Sequence, residues 1–305
     1  MLSRMPFEFP AYLGALARAL APVPMAVAGA AHPLVMDSAR QAAEAGFIVP
    51  VLVGEADGIA AVARDIGWDL AAVRVVPAGD ERRACETAAA LARGGEAAAI
   101  MKGHVHTDAL MRALLARDAG LRTDRRVSHI FHMTLPGRDR VLHITDAAVN
   151  IQPGVDAKLD IVRNAVALAH CLGMALPKVA LLSGAETVNP SMPSSVEAAE
   201  VVRNAANGGV AGAIVDGPFG FDNAVSPEAA RLKGIDSPIA GAADILVVPN
   251  LEAGNFLFKQ MVYFMSATAA GIVMGAKVPV VLTSRADPPE ARLAAAAIAA
   301  VVASK

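Results

Sequence analysis

An α/β fold with a mostly parallel sheet is what this chain predicts, and three observations carry that expectation. Short apolar runs alternate with helix-length amphipathic segments. Polar, glycine-bearing stretches recur at the ends of the apolar runs, where parallel sheets bind ligands. Of 305 residues, 55% are hydrophobic and 18% charged, which is ample for a large core and for one large unit or two domains.

The elements follow in order. Pro24–Ala30 is a short apolar strand, His32–Ala45 a helix, Phe47–Val53 a strand, Ala56–Ile66 a helix and Val73–Val76 a strand. Asp80 caps a helix over Gly79–Arg93; Ala97–Met101 is a strand ending in Lys102-Gly103-His104, and Thr107 opens a helix to Ala119. The rhythm changes at Arg125: Val127–Thr134 and Arg140–Thr145 flank Leu135-Pro136-Gly137-Arg138-Asp139, so a hairpin is expected there. Alternation resumes with a helix over Ala157–Leu172, the strand Lys178–Leu182, and a helix over Ser194–Ala206 with Ser194 and Glu197 as a capping box. Gly212–Val215 and Ala243–Val248 are strands around a short helix, Pro227–Lys233, and Glu252–Ala270 is a long helix. Val278–Leu282 runs into Thr283-Ser284-Arg285, and Asp287-Pro288-Pro289-Glu290 reads as an N-cap opening the last helix. That strand end places a hydroxyl and a guanidinium beside a helix N-terminus, where anions are favoured.

Composition narrows the function classes. A net charge of −2 and 4% aromatics give no reason to expect nucleic acid. The run Ala19–Met36 is broken by three prolines, and Gln260–Ala276 reads as a buried helix of small residues, so no membrane span is expected. Cys85 and Cys171 form no paired motif, and the N-terminus lacks an unbroken apolar leader, so a reduced, cytoplasmic protein is expected. The glycine fingerprint of a dinucleotide site, the P-loop and the serine-hydrolase elbow are all missing. His104 and His106 lie in a strand exit and His129 and His132 in the hairpin, outside any metal-ligand frame, so no metal is expected. Asp216–Asn223 combines turn residues with two acids and reads as a cleft loop. Lys259 shares a helix face with Asn255, as a solvated charge or a phosphate holder.

Taken together, the polar segments resemble the phosphate acetyltransferase/phosphate butyryltransferase family. The resemblance runs from about Met101 to Asp287, through MKGHVHTDALM (101–111), RRVSHIFHM (125–133), ITDAAVNIQP (144–153), PKVALLSGAETVN (177–189), DGPFGFDNAVS (216–226), KGIDSPIAGAADILVVPN (233–250), EAGNFLFKQMVYF (252–264) and VPVVLTSRAD (278–287). It looks most like the shorter, butyryl-type branch, and the first hundred residues match only in layout.

The resemblance implies a two-domain, three-layer α/β/α architecture similar to the isocitrate and isopropylmalate dehydrogenases, with the cleft between domains. Residues 1–125 with 272–305 would form the first, discontinuous domain, and 126–271 the second, dimerising one. The implied reaction is acyl-CoA + phosphate = acyl phosphate + CoA, with coenzyme A as substrate, no bound cofactor or metal, and a homodimer as the working form. Ser284 would hydrogen-bond the thiol or oxyanion, and Arg285 and Arg112 would hold phosphoryl groups; Thr107, Ser128, Asn150 and Asn255 would line the site, with Lys259 nearby. An aspartate assigned as base in acetyl-type members falls at Ala291 here, which leaves Asp287 as the nearest acid. Two other readings compete: a non-catalytic CoA-binding or regulatory homologue, and a metal- and NAD-dependent decarboxylating dehydrogenase of the same architecture.

Overall fold

The computed structural model describes residues 2–284 and 286–305. The chain begins with α1 (Ala11–Arg18), β1 (Val23–Ala28), α2 (Pro33–Glu44), β2 (Ile48–Gly54), α3 (Ala56–Asp65), β3 (Arg74–Pro77), α4 (Glu81–Arg93), β4 (Ala99–Lys102) and α5 (Thr107–Leu115). The hairpin of β5 (Ser128–Thr134) and β6 (Val141–Thr145) follows, then α6 (Val155–Cys171), β7 (Lys178–Leu182), α7 (Pro193–Asn204), β8 (Ile214–Phe219), α8 (Phe221–Val225), α9 (Pro227–Leu232), β9 (Ile245–Val247) and α10 (Leu251–Met265). β10 (Thr268–Met274), β11 (Val280–Val281) and α11 (Pro289–Ala303) close it.

Contacts divide the chain into two compact units, Phe9–Arg125 with Ala270–Lys305, and Arg126–Ala269 with residues 2–8. The sequence boundaries put residues 2–8 with the other unit. They join this one because Leu2 and Ser3 donate their amides to the Tyr263 carbonyl, and Ser266 Oγ donates to the Met5 carbonyl at 2.6 Å.

In the first unit the strands run β3-β2-β1-β4-β11-β10, parallel except where β10 opposes β11. β1 is buried along nearly its whole length, as expected of a parallel strand covered on both faces. α11 is alanine-rich and buried from Ala291 to Ala300 apart from Leu293, because small side chains let its backbone pack closely. In the second unit the order is β5-β6-β9-β7-β8, with the hairpin antiparallel and the rest parallel. Phe131, Leu142, Phe219, Leu246 and Phe258 build one face of its core, with Phe131 stacked on Phe258 at 3.8 Å between centroids.

Four local expectations are corrected. The helix expected through Gln260–Ala276 stops at Met265, where Ser266 turns left-handed (φ 51°), and Thr268–Met274 is a strand. Its β-branched Thr268, Ile272 and Val273 suit a buried ladder better than a helix. No capping box forms at α7: Ser194 Oγ meets Ser183 Oγ at 2.9 Å, and Glu197 pairs with the buried Lys158. α5 ends at Leu115 rather than Ala119. Asp287 is not the N-cap of α11; Pro288 occupies that position, and the Asp287 side chain turns back toward Ser284.

Candidate active site

β11 pairs in parallel with β4, Val280 opposite Ile100 and Val281 opposite Met101. The Leu282-Thr283-Ser284 exit and the Lys102-Gly103-His104 exit therefore leave the same edge of the sheet. A recess of about 30 Å³ lies there, lined by Lys102, Gly103, Ser284, Arg292 and the first turn of α2. Ser284 is exposed; its amide donates to Asp287 Oδ2 at 2.6 Å, and its hydroxyl accepts from the Ala286 amide at 3.3 Å. The Asp287 carbonyl accepts from Arg292 Nη1, while Arg292 Nε donates to Ser38 Oγ on α2 at 2.8 Å. Burial lowers the Arg292 pKa, and the neighbouring Asp287, Asp37 and Glu290 carboxylates oppose that shift. One buried guanidinium thus ties the serine-bearing turn to two helices. Arg285, expected to bind the phosphoryl group, lies outside the described residues.

The adjoining exit is set by Gly103. Its amide donates to the Ala28 carbonyl at 2.9 Å, and a Cβ there would meet that oxygen at 2.4 Å and Gly29 O at 2.5 Å. Only glycine permits this approach. His32 caps α2, accepting from the Leu34 amide at 3.2 Å, and its ring stacks on His104 at 4.5 Å. His106 stands at the N-cap of α5 without a side-chain cap. Instead its Nδ1 lies 2.9 Å from Glu81 Oε1, and its backbone amide donates to the same carboxylate. That backbone hydrogen bond is the largest cause holding Glu81 below the usual carboxylate range. Thr107 follows, half-buried. Arg112 is exposed, 3.6 Å from Asp108, and borders a hollow of about 540 Å³ between α4 and α5 that Arg82 and Arg93 also line.

The residues expected from the second unit have a different character. Ser128 is fully buried, and its Oγ accepts from Asn164 Nδ2 at 2.9 Å. Asn150 Nδ2 donates to the Val127 carbonyl at 2.9 Å and to Asp146 Oδ2 at 2.6 Å; Asp146 also accepts the amides of Ala148, Val149 and Asn150. The Asp216–Asn223 segment, expected as a cleft loop, instead ends β8 and opens α8; there Asp216 accepts from Ser237 Oγ at 2.6 Å, and buried Asn223 donates to Glu186, which also pairs with Lys233. Asn255 is half-buried and Lys259 exposed on α10. The clips His106–Glu81, Arg292–Ser38 and Lys158–Glu197 had no signal in the sequence, since each joins residues at least 25 positions apart. Among the described residues, no group of three or more His, Cys, Asp or Glu is placed to hold a metal, and no helix is long and apolar enough to cross a membrane.

The family model described as "Phosphate acetyl/butaryl transferase" matches residues 80–300. The chain belongs to this family. The phosphate acetyltransferase of Rhizobium meliloti is 47% identical over 95% of this chain and 92% of its own length. The phosphate butyryltransferase of Clostridium beijerinckii is 38% identical over 92% and 93%. The match to the Rhizobium protein spans 291 residues, so family likeness extends through the first hundred residues, where motifs alone offered only layout. Among solved structures, a branched-chain phosphotransacylase from Enterococcus faecalis superposes with a TM-score of 0.79 at 32% identity, covering 92% of this chain and 99% of that one. A phosphotransacetylase from Streptococcus pyogenes, at 22% identity and a TM-score of 0.81, shares the fold. So does a 4-hydroxythreonine-4-phosphate dehydrogenase from Burkholderia phymatum, at 15% identity and a TM-score of 0.61.

Proposed function

We propose that the protein catalyses reversible transfer of a short acyl group between coenzyme A and inorganic phosphate. The observation that carries this is the exposed Ser284 turn, braced by Asp287 and Arg292 at the β4–β11 edge, in a chain of the acyl/phosphate transferase family. In the acyl-CoA-forming direction the thiol loses its proton, its sulfur attacks the acyl carbon, and the phosphate oxygen leaves with the electron pair. Ser284 Oγ–H donates to the attacking sulfur or the developing oxyanion, which is where a fixed donor lowers the barrier most. Arg285 and Arg112 bind the phosphoryl oxygens as paired donors, and Thr107, the first residue of α5, is a further substrate contact. Ser128 and Asn150 hold their loops. Asp287 braces the Ser284 turn, because its carboxylate already accepts the Ser284 amide.

CoA-dependent release of phosphate from acetyl, propionyl and butyryl phosphate tests the reading; no release with any of them sinks it. Arg285→Ala should raise the barrier by about 2–3 kcal/mol through lost phosphate contacts. The substrates and the two free cysteines suit a cytoplasmic enzyme. We also propose a homodimer formed through α10, supported by Phe256, Tyr263 and Phe264, which expose 66%, 44% and 62% of their surface along one helical face. Sedimentation of Phe264→Asp beside the wild type tests it, and an unchanged mass excludes that face.

A further inference from the structure

The Ser284 recess is lined by a charge that the protein leaves without a counterion. Arg292, on α11, is 8% exposed. Its Nε donates to Ser38 Oγ at 2.8 Å and its Nη1 to the Asp287 carbonyl, and both acceptors are neutral. The carboxylates of Asp287, Asp37 and Glu290 are close enough for their fields to reach it. Two of them are committed elsewhere. Asp37 accepts from Arg40 Nη2 at 2.6 Å and from Gln41 at 2.7 Å, and Asp287 accepts the Ser284 amide at 2.6 Å. Among the described residues, no carboxylate forms an ion pair with Arg292. A guanidinium taken out of water and met only by neutral acceptors is costly, and an anion is the partner that offsets the cost. The recess also fixes where that anion goes. Ser38 holds the guanidinium from α2 and the Asp287 carbonyl holds it from the serine-bearing turn, against a space that Lys102 and Ser284 line as well. At about 30 Å³ this space has room for a phosphoryl oxygen rather than a whole phosphate.

We infer that Arg292 is a substrate-binding residue that takes one phosphoryl oxygen of the acyl phosphate into the Ser284 recess, with Lys102 as the second positive charge. The inference rests on the acyl-transfer reading above and adds a residue of α11 to it. As the thiolate sulfur bonds to the acyl carbon, the C–O bond to the phosphate breaks and that oxygen keeps the electron pair. Negative charge therefore grows on the phosphate, and a cation fixed in a recess poor in water stabilises the growing charge more than the starting one. In the reverse direction the same two cations hold inorganic phosphate for its attack on the acyl-CoA. The planar fork suits this task, because a lysine at the same position cannot brace Ser38 and Asp287 and reach the ligand together.

The test titrates inorganic phosphate into wild type, Arg292→Met and Arg292→Lys by calorimetry at constant ionic strength. KM is measured beside it, separately for acetyl phosphate and coenzyme A. Arg292→Met keeps the volume and removes the charge, so phosphate affinity should fall about tenfold or more, the span of a hydrogen bond to a charged group. The KM for acetyl phosphate should rise in step, with the KM for coenzyme A within about threefold of wild type. Phosphate affinity within about threefold of wild type in Arg292→Met, even beside a lower kcat, overturns the inference and leaves Arg292 as a brace of the Ser284 turn. A KM rise confined to coenzyme A overturns it too, because the anion is then a phosphate of the coenzyme. Should Arg292→Met not fold, Arg292→Lys decides by the same titration: a fall beyond about threefold supports the assignment, and wild-type affinity overturns it. Wild type without phosphate release from acyl phosphates overturns this inference together with the acyl-transfer reading; active wild type beside Arg292→Met of unchanged phosphate affinity overturns this inference alone.

Discussion

Ser284 and Asn150 both follow strands and both sit in loops tied by a carboxylate, Asp287 in one and Asp146 in the other. Their side chains have opposite fates. The Ser284 loop spends its carboxylate on a backbone amide and leaves the hydroxyl at the surface. Asp146 takes three amides and the Asn150 side chain, and Asn150 spends its remaining donor on the Val127 carbonyl, so little polar capacity is left over. The same contrast separates His106, exposed with one nitrogen committed, from His132 and His143, which are fully buried and 3.0 Å apart. Chemistry needs a polar group whose partners hold it in place without using it up. Burial with the polar capacity used up, as at Asp146 and Asn150, makes scaffold instead.

That contrast can be broken by substitution, beginning with the largest effect. Lys158→Ala leaves Glu197 without its partner in a buried pair and should cost about 3–5 kcal/mol in urea unfolding. The kcat of the folded enzyme should stay within about threefold. Ser284→Ala should do the reverse, lowering kcat by about 10²–10³, or roughly 3–4 kcal/mol, with the urea midpoint unchanged. A shifted midpoint there would make Ser284 part of the scaffold.

The histidine pair sharpens the comparison through pH. Burial pushes His143 down to about 4, and burial, then the neighbouring His143, pushes His132 well below its ordinary value. Both are neutral in the native state, while the unfolded chain binds protons below about 6.5. Stability should therefore be intact above pH 6.5 and fall as pH drops from there toward 4. His143 contributes roughly 3 kcal/mol of that loss. Urea midpoints across this window should slope less in His143→Gln; equal slopes would remove the histidine from the effect. The smallest stability change is expected at Arg112→Ala. Its pair with Asp108 is 80% and 74% exposed, so the unfolding free energy should move by less than about 0.5 kcal/mol. The KM for acyl phosphate should rise about tenfold, and an unchanged KM would take Arg112 out of the site.

Much of this molecule could be read before any coordinates. Strand runs such as Val23–Ala28, Lys178–Leu182 and Ile245–Val247, the hairpin at 128–145 and the glycine-bearing exits follow from local pattern, because a buried parallel strand needs a continuous apolar stretch wherever it sits. The family was legible too, since its motifs are short, ordered and chemically constrained. Local pattern failed where a distant partner decided the outcome. α10 stops at Ser266 because that residue's hydroxyl is held by the N-terminal segment, and Asp287 abandons its cap to hold the Ser284 amide. Ser128 and Asn150 share residue type and strand-end placement with a binding group, yet one is fully buried and the other nearly so. The pairing of His106 with Glu81 joins residues 25 positions apart, and no periodicity reports a contact of that kind. The sequence by itself determined the elements and the chemistry available, because both depend on neighbours along the chain. Only the tertiary structure decided which polar groups keep an open valence, because burial and hydrogen-bond partners come from residues far away in sequence.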